Sequence, residues 1–215
     1  MHKVGYMQGR LSEIIDGKIQ AFPINTWKEE IIEGSKNNLG YIEWTLDHQG
    51  LAENPFITKH GQNEIKSLSE INDTKILSVT GDCFMQAPIW KLDKAYEKDL
   101  TNEFLAVIDA CHQLDVGIVV VPCVDASAIE TQLEEKKFLD FCCEHYQVIK
   151  DAGVRIAIES DFEPSRLDHF IRKLPNDVFG INYDIGNSAS LGFSHKDEIT
   201  TYGDLIYNVH VKDRP

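Results

Sequence analysis

Seven short runs rich in Val, Ile, Tyr and Phe recur along the chain: Val4 to Met7, Tyr41 to Leu46, Ile76 to Val79, Gly117 to Val121, Val154 to Glu159, Phe179 to Tyr183 and Ile206 to Val211. Most are apolar at successive positions, which is the pattern of a strand buried on both faces of a parallel sheet. Between them lie stretches of helical period. Thr26 is placed to cap a helix with Glu30 near its fourth position, and Gly40 follows Leu39 where a left-handed residue would end that helix. From Asp93 to Leu114 the stripe Ala95, Leu100, Phe104, Val107, Ile108 and Cys111 falls on one face, and Thr131 to Ala152 runs to Gly153 in the same way. Strand, helix and short turn repeat seven times without interruption, and right-handed crossovers keep such strands parallel. The expected fold class is therefore α/β, a (β/α)8 TIM-type barrel lacking its eighth βα unit, because a complete barrel has eight strands and typically ~250 residues. Residues 1–215 read as a single domain of this kind. A barrel so opened would expose the edges of its first and seventh strands, which makes a homo-oligomer one way of covering them.

Charge narrows the partners. Lys plus Arg is 21 and Asp plus Glu 35, so the net charge is 21 − 35 = −14. Such a surface is a poor match to nucleic acid, which needs clustered cations. The longest apolar stretches, such as Val116 to Val121, fall far short of the ~20 residues of a membrane-spanning helix. The N-terminus runs directly into a strand-like segment, so the expected compartment is the cytoplasm. Five cysteines without a CxxC pair argue against a disulfide framework and against a thiolate zinc site, and Cys142 and Cys143 read as packing residues. No GxGxxG or P-loop fingerprint follows any strand.

In a parallel barrel the strands' C-terminal ends carry the chemistry, and here those ends are polar. They present Gln8 and Arg10, Glu43 and Asp47, Asp82, Asp125, Glu159 and Asp161, Asp184 and Asn187, and finally His210, Lys212, Asp213 and Arg214. Each is ordinary alone: an acid at a strand end often caps the next helix, and a strand histidine is usually a satisfied core residue. Glu159, Asp184 and His210 nevertheless end three consecutive strands at matching depth. Two carboxylates and an imidazole make a site for a divalent cation such as Mn²⁺, Co²⁺ or Zn²⁺, with Mg²⁺ a further candidate. The remaining histidines lack partners at ligand spacing, although His195 lies in a segment, Ser190 to His195, suited to a lid. Phe84, Trp90 and Phe193 are placed either to wall a pocket or to cap the barrel core.

At Met7-Gln8-Gly9-Arg10-Leu11-Ser12, Gln20-Ala21-Phe22-Pro23, Tyr41-Ile42-Glu43-Trp44, Ile158-Glu159, Asp184-Ile185-Gly186-Asn187 and His210-Val211-Lys212-Asp213-Arg214 the sequence resembles the xylose isomerase-like sugar phosphate isomerases and epimerases, relatives of ketose 3-epimerases and hexulose-phosphate epimerases. The resemblance implies a metal held by Glu159, Asp184 and His210, together with a glutamate on an eighth strand that has no counterpart here. It also implies Glu159 as catalytic base, substrate contacts from Arg214 and Asn187, a pocket lined by Glu43, and Gln8 among the substrate-binding residues. The implied reaction is isomerisation or epimerisation of a sugar or sugar phosphate through an enediolate. Relatives of the fold supply alternatives: an inosose dehydratase-type lyase using the same metal site, and a phosphodiesterase of the apurinic-site endonuclease type, which calls for more histidines and a basic face. A shortened, non-catalytic barrel is the third.

Overall fold

The computed structural model describes residues 4–14, 17, 20–92 and 94–213. Seven strands form one sheet in sequence order, every neighbouring pair parallel: β1 (Tyr6–Met7), β2 (Tyr41–Thr45), β3 (Lys75–Thr80), β4 (Ile118–Cys123), β5 (Arg155–Ser160), β6 (Phe179–Asp184) and β7 (Ile206–His210). Among the described residues β1 pairs only with β2 and β7 only with β6, so the curled sheet has one open seam. No eighth strand lies among the described residues. The helices between are α1 (Trp27–Lys36), α2 (Lys59–Ile71), α3 (Asp82–Gln86), α4 (Lys94–Leu114), α5 (Gln132–Asp151), α6 (Pro164–Ile171), α7 (Ile185–Ser190) and α8 (His195–Tyr202).

One local device sets the strand positions. After α1, α2, α4 and α5 a residue with positive φ stops the helix: Asn38 (61°), Asp73 (49°), Asp115 (57°) and Gly153 (73°). The next residue's N–H then reaches back five positions, Leu39 to Gly34, Thr74 to Ser69, Val116 to Cys111 and Val154 to Ile149, at 2.8–3.2 Å. This arrangement satisfies orphan helix carbonyls and turns the chain into the sheet. The stop after α1 is Asn38, not Gly40, because the helix ends earlier than its sequence suggests. Its start also differs from the expected capping. Thr26 makes no side-chain cap, and the Glu30 carboxylate accepts from Gly9 N and Leu11 N (2.8 and 2.9 Å), fixing the loop after β1. At the start of α5, Thr131 and Glu134 form a reciprocal capping box that was not read from the sequence.

Outside the sheet the core is aromatic. Trp44, fully buried, stacks near Phe22, Trp27 and Phe56 with centroids 5.4–5.8 Å apart, and its Nε1 donates to Asn54 Oδ1. A second group joins Trp90, Phe138 and Phe170 under α5 and α6. Trp90 belongs to this layer, with its Nε1 on Ser127 O at 2.9 Å, and Phe84 packs on Phe104. Four cysteines are buried; Cys143 is exposed, so of the adjacent pair only Cys142 is a packing residue.

Candidate metal centre

Alternation along the strands sends one residue in two into the lumen. Here those positions are polar over the C-terminal half: Glu43 and Thr45 on β2, Ser78 and Thr80 on β3, Glu159 on β5, Asn182 and Asp184 on β6, Asn208 and His210 on β7. They satisfy one another. Ser78 Oγ donates to Glu43 Oε2 (2.7 Å), Asn208 Nδ2 donates to both Glu43 Oε2 and Asn182 Oδ1 (3.0 Å each), and Asn182 Nδ2 donates to Glu159 Oε2 (2.6 Å). The chain of bonds thus runs from β3 through β2, across the open seam to β7, and on to β6 and β5. Buried polar groups are tolerable when every partner is met, and such networks fix side chains in place.

His210 stands at the centre. Its Nε2 donates to Glu43 Oε1 at 2.7 Å, while its Nδ1 accepts from Asn182 Nδ2 at 3.1 Å and lies 3.5 Å from Glu159 Oε2 and 3.8 Å from Asp184 Oδ2. Among the described residues, Glu159, Asp184 and His210 offer ligand atoms within 4.8 Å of one another. Asp184 also caps α7, its Oδ1 accepting from Asn187 N at 2.9 Å, and Lys212 Nζ is 2.5 Å from its Oδ2. Both Glu159 oxygens are held, Oε2 by Asn182 and Oε1 by Asn187 Nδ2 at 2.7 Å. Asp184 thus caps α7 with one oxygen and turns the other toward His210 and Lys212.

The electrostatics follow from three carboxylates around one ring. Burial works against a charged imidazole, yet the bonds to Asp184, Glu159 and Glu43 outweigh it and raise His210 to about 12. Burial likewise opposes ionisation of Glu43 and Asp184. The cation and the hydrogen-bond donors beside them prevail, so Glu43 stays below its usual range and Asp184 falls to about 2. A ring that carries a proton among carboxylates marks a place prepared for positive charge. Two anionic oxygen donors and an imidazole nitrogen facing them fit a divalent cation in chemistry and in charge.

The other residues singled out from sequence are distributed around this centre. Gln8 is buried, its Oε1 accepts from Thr45 N at 3.2 Å, and its Nε2 has no hydrogen-bond partner. Glu43 faces His210. Asp82, at the end of β3, takes bonds from Gln20 Nε2 (2.6 Å) and Thr80 Oγ1 (3.1 Å). Asp47 is spent on Phe22 N and Gln86 Nε2. His195 Nδ1 meets Tyr183 Oη at 2.8 Å, beside the buried Glu198. Phe193 lines a small pocket with Glu159, Asp184 and Asn187, whereas Phe84 and Trp90 lie in the helical layer. Arg214 lies outside the described residues. Sequence reasoning missed Ser78, Asn182 and Asn208, which hold the acids in place.

A family model described as the xylose isomerase-like TIM barrel matches residues 35–215. The chain belongs to this family. No curated protein matches it in sequence. Among solved structures it is similar to D-psicose 3-epimerase determined in the presence of D-fructose (TM-score 0.71, 13% identity, 86% of this chain and 66% of that one). It is also similar to 3-keto-D-glucoside 4-epimerase YcjR from E. coli (TM-score 0.70, 15% identity, 99% and 80%). A third is the IOLI protein with a binding zinc atom (TM-score 0.65, 19% identity, 87% and 68%). At these identities the likeness concerns the barrel, and this xylose isomerase-like chain spans only part of each neighbour's length. Among the described residues no helix is long and apolar enough to cross a membrane.

Proposed function

We propose that the protein is a divalent-metal-dependent isomerase or epimerase acting on a sugar or sugar phosphate. The observation that carries this reading is the convergence of Glu159, Asp184 and His210 within 4.8 Å at the mouth of a xylose isomerase-like barrel. Neighbours of the same fold are named for sugar epimerisation, and one is named with zinc.

Glu159, Asp184 and His210 would hold the ion. Bound there, a divalent cation lowers the cost of removing a proton beside a carbonyl by stabilising the charge that develops on oxygen. Glu159 is the group to take that proton, because the amides of Asn182 and Asn187 aim its carboxylate toward the pocket. Return of the proton from Glu159 to the neighbouring carbon isomerises, whereas epimerisation requires a second acid to deliver a proton to the same carbon from the opposite face. Gln8 Nε2, buried and without an acceptor, is suited to a substrate oxygen, and Asn187, between Glu159 and Asp184, sits where a sugar hydroxyl would approach. The test is elemental analysis of purified protein before and after loading with Mn²⁺, Co²⁺ or Zn²⁺, followed by a panel of free and phosphorylated ketoses. About one retained ion per chain and turnover of a ketose are expected from a single three-ligand site. Absence of any retained ion would overturn the reading.

A further inference from the structure

We infer that Glu43 is the positioning residue that commits His210 to ligate through Nδ1, making Glu43, His210 and the ion a carboxylate–imidazole–metal relay. The inference rests on the proposed metal centre and adds to it a residue from β2, on the far side of the open seam.

An imidazole has two ring nitrogens, and the one that ligates is decided by what the other one bonds. Here Nε2 is 2.7 Å from Glu43 Oε1, and Nδ1 faces Glu159 and Asp184 with its lone pair turned to Asn182 Nδ2 at 3.1 Å, a contact that a bound ion would replace. Glu43 cannot easily turn away, because Ser78 Oγ and Asn208 Nδ2 both hold its other oxygen. Its carboxylate is buried and bonded to His210, Ser78 and Asn208, so the acid expected to line the pocket is here assigned a role on the ring. A carboxylate accepting from Nε2–H also makes Nδ1 more basic toward a cation, and loss of such a partner typically costs 10–100-fold in metal affinity. Asn208 ties the two ends together, since its amide bridges Glu43 to Asn182, which in turn holds Glu159. Glu43 thus reaches all of the centre through two routes, the ring of His210 and the amide of Asn208.

The experiment is calorimetric titration of Zn²⁺ into the full chain as wild type, Glu43→Gln and Ser78→Ala, with ¹⁵N spectra of the His210 ring in the zinc-loaded wild type. Glu43→Gln keeps the side chain's size and removes its charge. Zn²⁺ binding is expected to weaken about 10–100-fold in Glu43→Gln and much less in Ser78→Ala, which leaves Oε1 on the ring. The spectrum should show the ion on Nδ1 and a retained, hydrogen-bonded proton on Nε2. Equal Zn²⁺ affinity of a folded Glu43→Gln and the wild type, or an ion on Nε2, overturns the role of Glu43 while the metal centre stands. A wild type that takes up no Zn²⁺ overturns the centre itself. Should Glu43→Gln fail to fold, the wild-type spectrum alone decides, because it reads the ligating nitrogen directly.

Discussion

Asp82 offers a test of the field at the barrel mouth. It follows β3, is buried to 6% exposure, and is held by Gln20 and Thr80. Burial chiefly, with the negative charges of Asp47 and Glu159 adding to it, raises its carboxyl from 3.8 to about 6 despite those two bonds. A carboxyl that holds its proton more tightly in the folded chain stabilises the fold fully below the unfolded value of 3.8, and that contribution is lost as pH rises through about 6. The shift of roughly two units, at about 1.4 kcal/mol each, amounts to about 3 kcal/mol of penalty at neutral pH. Asp82→Asn removes the charge, keeps one oxygen for Gln20 Nε2, and turns an amide N–H toward Thr80 Oγ1, which can accept it. Urea unfolding followed by tryptophan fluorescence should therefore find the variant more stable than the wild type by about 2–3 kcal/mol near pH 8, with the difference shrinking toward pH 4. A difference that does not change with pH, or a variant less stable at pH 8, would refute the argument that burial, aided by the neighbouring carboxylates, raises the Asp82 carboxyl.

Two further outcomes are expected. Glu159→Gln should abolish exchange of deuterium from solvent into a ketose substrate while leaving far-UV circular dichroism unchanged, and exchange at the wild-type rate would remove Glu159 as the base. Asp115→Gly should raise stability by about 0.5–1 kcal/mol in the same urea assay, because an Asp at φ 57° bears a steric cost that glycine does not; a loss of stability would show that the side chain is needed at that helix end.

The strands and their order were legible because continuous apolar runs separated by helical periods leave few alternatives to a parallel sheet. Glu159, Asp184 and His210 were legible for a related reason: a charged side chain closing an apolar strand is conspicuous. The residues that orient them were not. Ser78, Asn182 and Asn208 look in a sequence like weak strand formers, and only the curvature that brings β7 opposite β2 shows that they form a bonded layer. Local punctuation misled in the same way. Gly40 is the obvious left-handed residue near the end of α1, yet Asn38 takes that conformation, since asparagine tolerates it and lies at the right offset from the last helical turn. Glu30, read as part of a helix cap, serves instead the loop after β1, a contact across twenty-one positions that no local pattern encodes. Trp90 was ambiguous between pocket wall and core because loop aromatics do both; its bond to Ser127 places it in the core.

The bonds from Glu43 to Asn208 and His210 join positions 165 and 167 apart in the chain. Loop-closure entropy makes contacts of such separation costly to form. In this barrel they also tie β2 to β7, bridging the open seam with hydrogen bonds. The clasp and the chemistry are therefore one set of atoms. A partly folded chain, with β7 not yet docked, has Glu159 and Asp184 without their imidazole and Glu43 without its partner, so the proposed ion site would be incomplete. Docking of the last strand and assembly of the candidate site are in this sense a single event.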